Sequence, residues 1–373
     1  MKILFVAPGA SLHTTRWIER AQKIGFEVVL FSQDGVVPKS NYRTITVDTL
    51  GIPKSNNPIL QLIKDVNALK RVIGSEVPDF VHIHWLFSPV ALALSFVGNI
   101  KVVGTPWGSD ILYTNEKESW NRKQRIIYKF SIKLLIKRID YFTCDAAHLK
   151  DRLVKLGADK NLIQIVYFGT DASQFTPERR SDSCRKTWGL SNSDIAILSN
   201  RNLYKVYDIP TLIKAFKKVS ERYKNVFLIV GGSGPELPNL EEQVKSQELQ
   251  DKVRFLGKLE MGEFEASVAS SDIYVSTSTS DGGLASSIAE AMASEVPVLV
   301  TDFGENSDWL EDGRNGFLFP VGGWESLAEK MIYLIENPSL RLAMGKSARQ
   351  TVQLRLDPDF ESQKLAEIYK TKI

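Results

Sequence analysis

The chain has 373 residues, of which 43% are hydrophobic and 24% are charged, and its net charge is +3. This length exceeds what one hydrophobic core usually serves, so we expect two domains. The small net charge argues against a nucleic-acid partner. Two cysteines and four histidines provide no CxxC or HExxH spacing, so we expect no metal site and no cofactor, and a reducing compartment.

The N-terminal segment, MKILFVAPGA, contains a short apolar run that ends at Pro8 and Gly9. Such a run is too short for the apolar region of a signal peptide or for a membrane span. It predicts a first β-strand and a cytoplasmic protein.

Short runs of Val, Ile, Leu and Phe alternate along the chain with segments of helical spacing. The predicted strands are KILFVAP, EVVLFS, FVHIHWL and KVVGTPW in the first half, and IAILSNR, VFLIVGG, VRFLGK, DIYVSTS and VPVLVTD in the second. Apolar strands that alternate with helices are typical of parallel sheets covered on both faces. The sequence therefore predicts two doubly wound α/β domains, which join within residues 167–183, where Gly, Pro, Ser and mixed charges interrupt the periodicity.

Loops that follow the predicted strands of the second half suit a phosphate, because ligands of doubly wound sheets bind outside the carboxyl ends of the strands. For two such domains we expect the working site in the cleft between them. Gly232 and Gly234 in GGSGP permit close approach of the backbone to an anion, although a tight turn without a ligand explains them equally well. Arg201 and Lys205 offer two cations for a diphosphate, with solvated surface charge as the alternative.

The stretch SDGGLASSIAEAMASEVPVLVTD, residues 280–302, places a glycine-serine turn before a helix of small residues. The amides at the start of that helix would direct partial positive charge towards a ligand. Glu290, about a turn and a half into the helix, could accept hydrogen bonds from ribose hydroxyls, as acidic residues of dinucleotide folds do. A local cap or pairing role is the alternative. The candidate binding residues here are Asp281, Gly282, Gly283, Leu284, Ala285, Ser286, Ser287 and Glu290.

Taken together, these segments resemble the retaining glycosyltransferases of family 4. The similarity covers essentially the whole chain and is strongest over 272–349, and the segments GGSGPELPNLEE, YFGTDASQFTP and SLHTTRWIERAQKIGFEVVLFS also resemble family segments. It implies the GT-B fold, in which two Rossmann-like doubly wound parallel-sheet domains face each other across a cleft. We expect an acceptor domain over 1–170, a donor domain over 171–356, and a C-terminal helix over 357–373 that packs back on the first domain.

The resemblance implies metal-independent transfer of a sugar from a UDP- or GDP-linked donor to a glycan or lipid-linked acceptor, with retention of anomeric configuration. It places the reaction in bacterial surface polysaccharide or glycolipid synthesis. Glu290 matches the acid that holds the donor ribose, Arg201 matches the arginine on the diphosphate, and Gly9 lies in the first-strand loop near the donor. The catalytic candidates are Arg201, Lys205, Asp110 and Asp281, and the acceptor-binding candidates are His13, Arg16, His84 and Trp107.

The chain departs from the family pattern at three positions. The family acid that lies eight residues before Glu290 is replaced by Gly282, with Asp281 one residue earlier. Trp107 stands where the family often has a histidine, and Tyr207 lies nearest to the position of a family lysine. A GT-B-fold nucleotide-sugar epimerase and a catalytically silent donor-binding protein are therefore the alternatives. A dinucleotide dehydrogenase is disfavoured because the turn APGASLHT lacks GxGxxG.

Residues 120–141, WNRKQRIIYKFSIKLLIKRIDY, predict a basic amphipathic helix. Its cations, with Trp and Tyr near its ends, suit an anionic membrane surface. A domain helix with a solvated charged face is the alternative. The apolar residues spaced for one helical face are Ile126, Ile127, Phe130, Leu134 and Leu135. We expect a cytoplasmic protein that is peripheral at the inner face of the cell membrane.

Overall fold

The computed structural model describes residues 1–108, 110–112, 121–260, 262–279 and 283–373. The chain forms two compact units, of which the first comprises Met1–Phe168 and Asp359–Ile373 and the second Gly169–Pro358. The sequence-based boundaries after residues 170 and 356 differ from these by two residues at each crossing.

The first unit is built on a parallel sheet. Its strands in the described part are β1 (Lys2–Ala7), β2 (Glu27–Ser32), β3 (Arg43–Ile45), β4 (Phe80–His84), β5 (Lys101–Thr105), β6 (Tyr141–Cys144) and β7 (Ile163–Ile165). They lie in the order β3-β2-β1-β4-β5-β6-β7. Its helices are α1 (Leu12–Lys23), α2 (Pro58–Glu76), α3 (Pro89–Leu94), α4 (Arg122–Arg138), α5 (Ala147–Leu156) and the C-terminal helix (Pro358–Thr371), which joins this unit from Asp359 onwards.

The second unit repeats this plan. Its strands are β8 (Ile195–Ser199), β9 (Val226–Gly231), β10 (Val253–Gly257), β11 (Ile273–Ser276), β12 (Val298–Thr301) and β13 (Phe317–Phe319), in the parallel order β10-β9-β8-β11-β12-β13. Its helices are α6 (Asp182–Thr187), α7 (Ile209–Arg222), α8 (Leu237–Ser246), α9 (Glu263–Ser270), α10 (Ser286–Ala293), α11 (Asn306–Trp309), α12 (Trp324–Glu336) and α13 (Pro338–Arg355).

Continuous apolar runs form the central strands, because helices cover both faces of each sheet. In β1 every residue from Ile3 to Ala7 is buried, and β12 is buried along its whole length. The prediction of two Rossmann-like α/β domains is confirmed. The sequence analysis missed β3, β6, β7 and β13, which are all short.

The strand order fixes where a ligand can bind in each unit. The winding direction changes between β1 and β4 in the first sheet and between β8 and β11 in the second. Loops that leave these strands at their carboxyl ends turn away from each other, and the crevice between them is the usual ligand site of such sheets. The described loop residues concerned are 8–11 and 85–88 in the first unit and 200–208, 277–279 and 283–285 in the second.

The C-terminal helix completes the core of the first unit. Its Leu365 and Ile368 are buried in one cluster with Phe5 and Phe80, and its Tyr369 is fully buried there. Among the described residues, no helix combines the length and apolarity needed to cross a bilayer.

Candidate functional site

Arg201 leaves the carboxyl end of β8 at the switch point of the second sheet. Its Nη1 atom donates a 2.8 Å hydrogen bond to the Oγ atom of Ser287, in the first turn of α10. Its guanidinium carbon lies 4.5 Å from the centroid of the Tyr207 ring. Lys205, the second predicted cation, begins a short 3-10 turn and is exposed. The structure therefore places the Arg201 side chain in contact with the start of α10. The guanidinium of Arg201 also lies over the ring of Tyr207.

The glycine turn after β9 packs against the Arg201 loop. A Cβ atom on Gly232 would lie 2.5 Å from the Arg201 carbonyl oxygen, and one on Gly234 would lie 2.3 Å from that of Leu203. The amide of Leu203 also donates to the carbonyl of Ser233. Contact between the two loops alone thus requires both glycines, whether or not their amides also meet a ligand.

Helix α10 begins at Ser286, with Ala285 as its N-cap. Gly283 to Ser287 are partly buried. Within the described part of the chain, the N-cap residue Ala285 makes no side-chain capping hydrogen bond to the first-turn amides. First-turn amides of a helix lack intrahelical acceptors, which makes this end suitable for an anion. Glu290 lies in the same helix and is only 3% exposed. Asp281 and Gly282 lie outside the described residues.

Polar groups that sequence reasoning missed lie at the ends of β8 and β11. The Tyr274 hydroxyl donates to the Oδ1 atom of Asn200 at 2.6 Å. The Nδ2 atom of Asn200 and the Oγ atoms of Ser199 and Ser276 are buried and have no hydrogen-bond partner within the described part of the chain. Buried polar atoms without partners are uncommon, so these three mark the switch point as a place where a ligand or water completes the bonding. In the sequence, only their position at the ends of apolar strands could have indicated these three residues.

Gly9, a predicted donor contact, bonds to a neighbouring loop in the structure. The amides of Gly9 and Ala10 donate to the carboxylate of Asp34 at 2.9 and 3.1 Å. Burial alone would raise the pKa of Asp34, but hydrogen bonds from the Ser32 hydroxyl and from backbone amides lower it below the usual value. A Cβ atom on Gly9 would lie 2.0 Å from the Val36 carbonyl oxygen. The amide of Gly9 thus binds a neighbouring loop, where the sequence analysis expected a ligand.

Asp110 was predicted to be catalytic, and the structure assigns it a different position. Its side chain is fully buried, Oδ2 accepts from the Leu86 amide at 2.7 Å, and Oδ1 accepts from the Trp107 amide at 3.0 Å. The carboxylate thus joins the loop after β4 to the loop after β5. Both oxygens accept from backbone amides, which gives Asp110 a structural part in these loops, and its catalytic role stays a prediction.

His84 is a predicted acceptor residue that the structure places in the interior. It was expected at the acceptor because it ends β4, but its side chain is fully buried, and its Nδ1 accepts from Trp107 Nε1 at 3.2 Å. Burial, followed by the charge of His13, lowers the pKa of His84 to about 3, so the ring is neutral. His82, on the same strand, is buried between Tyr369 Oη at 2.6 Å and Thr105 Oγ1 at 2.7 Å.

The remaining acceptor candidates lie at the carboxyl edge of the first sheet. His13 is exposed in the first turn of α1, and Arg16 is partly buried in the same helix. The Trp107 ring centroid lies 5.6 Å from that of His13 and 6.0 Å from that of Trp85. Sequence reasoning missed Trp85, whose φ of 61° is rare for a bulky residue. The structure thus brings His13, Trp85 and Trp107 together as an aromatic group at the switch point.

Helix α4 separates the apolar residues that were predicted to share one face. Leu135 is buried in the core of the first unit and Leu134 is partly buried. Ile126, Ile127 and Phe130 are instead 58%, 52% and 64% exposed. The exposed apolar surface of α4 is therefore confined to its first turns. Trp120 lies outside the described residues.

The described ranges contain no group of three or more His, Cys, Asp or Glu side chains placed to share a metal ion. Positive groups at the second switch point include the Arg201 guanidinium and the amides at the start of α10, and the exposed Lys205 lies in the same loop as Arg201.

Two family models match the chain, each within one unit. A model described as Glycosyl transferase 4-like matches residues 2–146, and one described as Glycosyl transferases group 1 matches residues 181–351. The N-acetyl-alpha-D-glucosaminyl L-malate synthase of Bacillus anthracis is 27% identical over 360 residues, which make up 95% of this chain and 89% of that protein.

Solved structures share the fold over the full length. Sucrose-phosphate synthase from Thermosynechococcus elongatus aligns with a TM-score of 0.83 at 18% identity, covering 99% of this chain and 98% of that one. Anabaena HepE in complex with UDP-glucose aligns with a TM-score of 0.79 at 20% identity, covering 100% of both chains. The chain therefore belongs to the family-4-like, group 1 glycosyltransferases and has their GT-B fold of two Rossmann-like domains.

Proposed function

We propose that the second unit binds a nucleotide-sugar and that the sugar passes to a glycan or lipid-linked acceptor bound by the first unit. One observation carries this proposal: Arg201 contacts the first turn of α10 at the switch point, and Glu290 lies in the same helix. A guanidinium and helix amides suit a diphosphate, and the acid suits the ribose. HepE was solved with UDP-glucose, which supports a UDP-linked donor, with a GDP-linked donor as the second choice.

The positive groups at this site would stabilise the leaving group. Breaking the anomeric C–O bond develops positive charge on the sugar and negative charge on the diphosphate. Preorganised donors act on such charge, and removing one typically costs about 2.7 to 4 kcal/mol of transition-state stabilisation. Arg201, the α10 amides and Lys205 would supply this stabilisation, so the proposed reaction requires no metal ion. Asp281 keeps its proposed role at the sugar.

We further propose that transfer retains the anomeric configuration. The acceptor oxygen bonds to the anomeric carbon on the face from which the diphosphate departs, and the acceptor proton passes to a phosphate oxygen of the leaving group. No protein nucleophile is required for this step. Its basis is the retaining family that the sequence resembles.

A lipid-linked acceptor is favoured by α4. Its exposed Ile126, Ile127 and Phe130 lie among exposed cations, a combination that binds the interface of anionic membranes. We therefore propose a protein peripheral to the inner face of a bacterial membrane, acting in surface polysaccharide or glycolipid synthesis.

The test is nucleotide binding by the intact chain and by Glu290→Gln. UDP, GDP and their sugar conjugates are titrated by calorimetry, and melting curves are recorded with and without them. Glutamine keeps the volume of the side chain but removes its charge, and hydrogen bonds to charged groups contribute about 1.5 to 3 kcal/mol. We expect affinity for the nucleotide to fall roughly 10- to 100-fold.

The matched control is Glu265→Gln, also in the second unit. Glu265 is 4% exposed and accepts hydrogen bonds from Gln174 and from the Gly262 amide. Its substitution should change the melting temperature and leave nucleotide affinity intact. Absence of nucleotide binding by the wild type, or conversion of the donor to an epimer without an acceptor, would contradict the proposed transferase.

A further inference from the structure

Tyr207 lies beside Arg201 at the proposed diphosphate site. The Arg201 guanidinium carbon lies 4.5 Å from the Tyr207 ring centroid, while its Nη1 donates to Ser287 Oγ at 2.8 Å. We infer that Tyr207 is a positioning residue, whose ring holds the Arg201 guanidinium so that its edge presents donors to a nucleoside diphosphate. This inference rests on the proposed donor site.

The backbone at Tyr207 is fixed from the neighbouring strand. The Thr277 hydroxyl, just after β11, donates to the Tyr207 carbonyl at 2.7 Å. The Thr279 amide donates to the Val206 carbonyl at 2.8 Å. These bonds join the loops that leave β8 and β11, so the Tyr207 ring has a defined position relative to α10. It is also partly buried, which reduces its freedom to move away from Arg201.

Stacking and hydrogen bonding use different parts of a guanidinium. An aromatic ring attracts the flat face of the cation. The N–H donors lie in the plane of the guanidinium and point outwards from its edge, where they match two phosphate oxygens. A ring whose centroid lies 4.5 Å from the guanidinium carbon therefore limits the rotamers of Arg201, and a ring has no charge with which to compete for the phosphate. The Ser287 contact further restricts the orientation of the N–H donors.

Tyr207 lies nearest to the position at which the resembled family has a lysine. A lysine there would act as a second point charge on the phosphates. A neutral ring supplies no such charge, so phosphate binding depends more strongly on the orientation of the Arg201 guanidinium. The effect of Tyr207 should therefore appear only with ligands that carry the diphosphate.

The experiment compares Tyr207→Phe and Tyr207→Leu with the wild type. UDP and GDP are titrated by calorimetry, and uridine and guanosine by ligand-observed NMR. We expect Tyr207→Leu to weaken binding of the preferred diphosphate about tenfold, which corresponds to about 1.4 kcal/mol. Tyr207→Phe, which keeps the ring, should stay within about twofold. The dissociation constant of the nucleoside should be the same in all three proteins.

Tyr204→Leu is the matched control, because Tyr204 is in the same loop and is 48% exposed. It should leave the affinity for the diphosphate unchanged. A double-mutant cycle with Arg201→Met completes the test, and Tyr207→Leu should have little further effect once the guanidinium is absent.

Equal weakening of nucleoside and diphosphate, or additive effects in the cycle, would overturn the inference, because a general disturbance of the loop would explain them. If the wild type binds UDP or GDP and Tyr207→Leu binds it equally well, only the role of Tyr207 fails. If the wild type binds neither nucleotide, the proposed donor site fails together with this inference.

Discussion

Two aspartates, the exposed Asp34 and the buried Asp110, shape the loops at the carboxyl edge of the first sheet. Each carboxylate accepts hydrogen bonds from two or more backbone amides that lie in neighbouring loops. A carboxylate that accepts several amide bonds is stable in its charged form even when buried. These residues therefore hold the switch-point loops in place, next to the aromatic group of His13, Trp85 and Trp107.

Asp110→Asn separates this structural role from a catalytic one. An asparagine keeps one acceptor oxygen but directs an NH₂ group towards the second amide. Either Leu86 or Trp107 then loses its acceptor, and a buried unsatisfied amide costs about 1 to 3 kcal/mol. We expect the free energy of unfolding of the first unit, measured in urea, to fall by about that amount. The exposed Asp151 provides the control variant Asp151→Asn, which should unfold as the wild type does. Full stability of Asp110→Asn combined with lost transfer would instead indicate catalysis by Asp110.

At the residue scale, the sequence predicts which loops lie at the switch points better than it predicts the hydrogen bonds that individual residues make there. Arg201 and Ser287 are found by their positions after a strand and at a helix start, and the structure joins them. Gly9 and Asp110 occupy predicted loops, but the direction of their hydrogen bonds depends on neighbouring loops that are distant in sequence. His84 is fully buried, and its ring bonds to Trp107, which lies at the end of a different strand.

At the element scale, α4 combines a structural face with an exposed one. Ile132, Leu135 and Ile136 pack into the core of the first unit. Arg138, at the end of the helix, donates to the carbonyl oxygens of Val97 and Ile100. The last turns are thus fixed by packing and hydrogen bonds, while the first turns expose apolar side chains between cations.

Charge reversal in α4 tests its proposed contact with a membrane. Lys129, Lys133 and Lys137 are exposed, and each lysine near an anionic surface contributes about 1 kcal/mol of binding free energy. We expect the triple substitution to glutamate to release the protein from vesicles of phosphatidylcholine and phosphatidylglycerol, measured by cosedimentation. Ile126→Ser combined with Phe130→Ser should weaken binding as well, because apolar area is lost from the interface.

The control reverses three exposed lysines of the second unit, Lys224, Lys245 and Lys346, and so changes net charge by the same amount. It should bind vesicles as the wild type does. Equal loss of binding in both triple variants would show that net charge alone drives association, which would contradict a specific role of α4.

The sequence predicts long, uniformly apolar elements and misses short ones. Strands such as β1 and β9 are six residues long and buried, so their pattern stands out. β3, β7 and β13 have three residues each, and the first two contain polar side chains. Such strands form because an existing sheet edge pairs with them, a tertiary effect that local pattern does not carry. Tertiary contacts likewise decide burial in α4, where Leu135 packs into the core and Phe130 stays exposed.

At the scale of the whole molecule, the two units differ in their histidine content. All four histidines of the chain, His13, His82, His84 and His148, belong to the first unit. His82 bonds to Tyr369, so the C-terminal helix is attached to β4 through a buried imidazole. Burial, followed by the charge of His84, lowers the pKa of His82 well below its usual value. The core of the first unit thus depends on two imidazoles that stay neutral.

These lowered pKa values predict that acid destabilises the first unit selectively. In the unfolded chain a histidine binds a proton below a pH of about 6.5, whereas folded His84 does so only below about 3. Between these values the unfolded state binds more protons, so stability falls as pH falls, approaching about 1.4 kcal/mol per pH unit for each buried histidine. We expect the first unit to lose stability between pH 7 and pH 5, while the second unit, which has no histidine, changes less.

Urea unfolding followed by pulsed amide hydrogen exchange resolves the units, with peptides from β1 and β4 reporting on the first and peptides from β8 and β9 on the second. His84→Gln removes one titrating group and keeps an acceptor for Trp107 Nε1, so the pH dependence of the first unit should be roughly halved. An unchanged slope in this variant would mean that His84 does not couple folding to pH. If both units lost stability in parallel, carboxylates, which both units contain, would control the response to acid, and not His82 and His84.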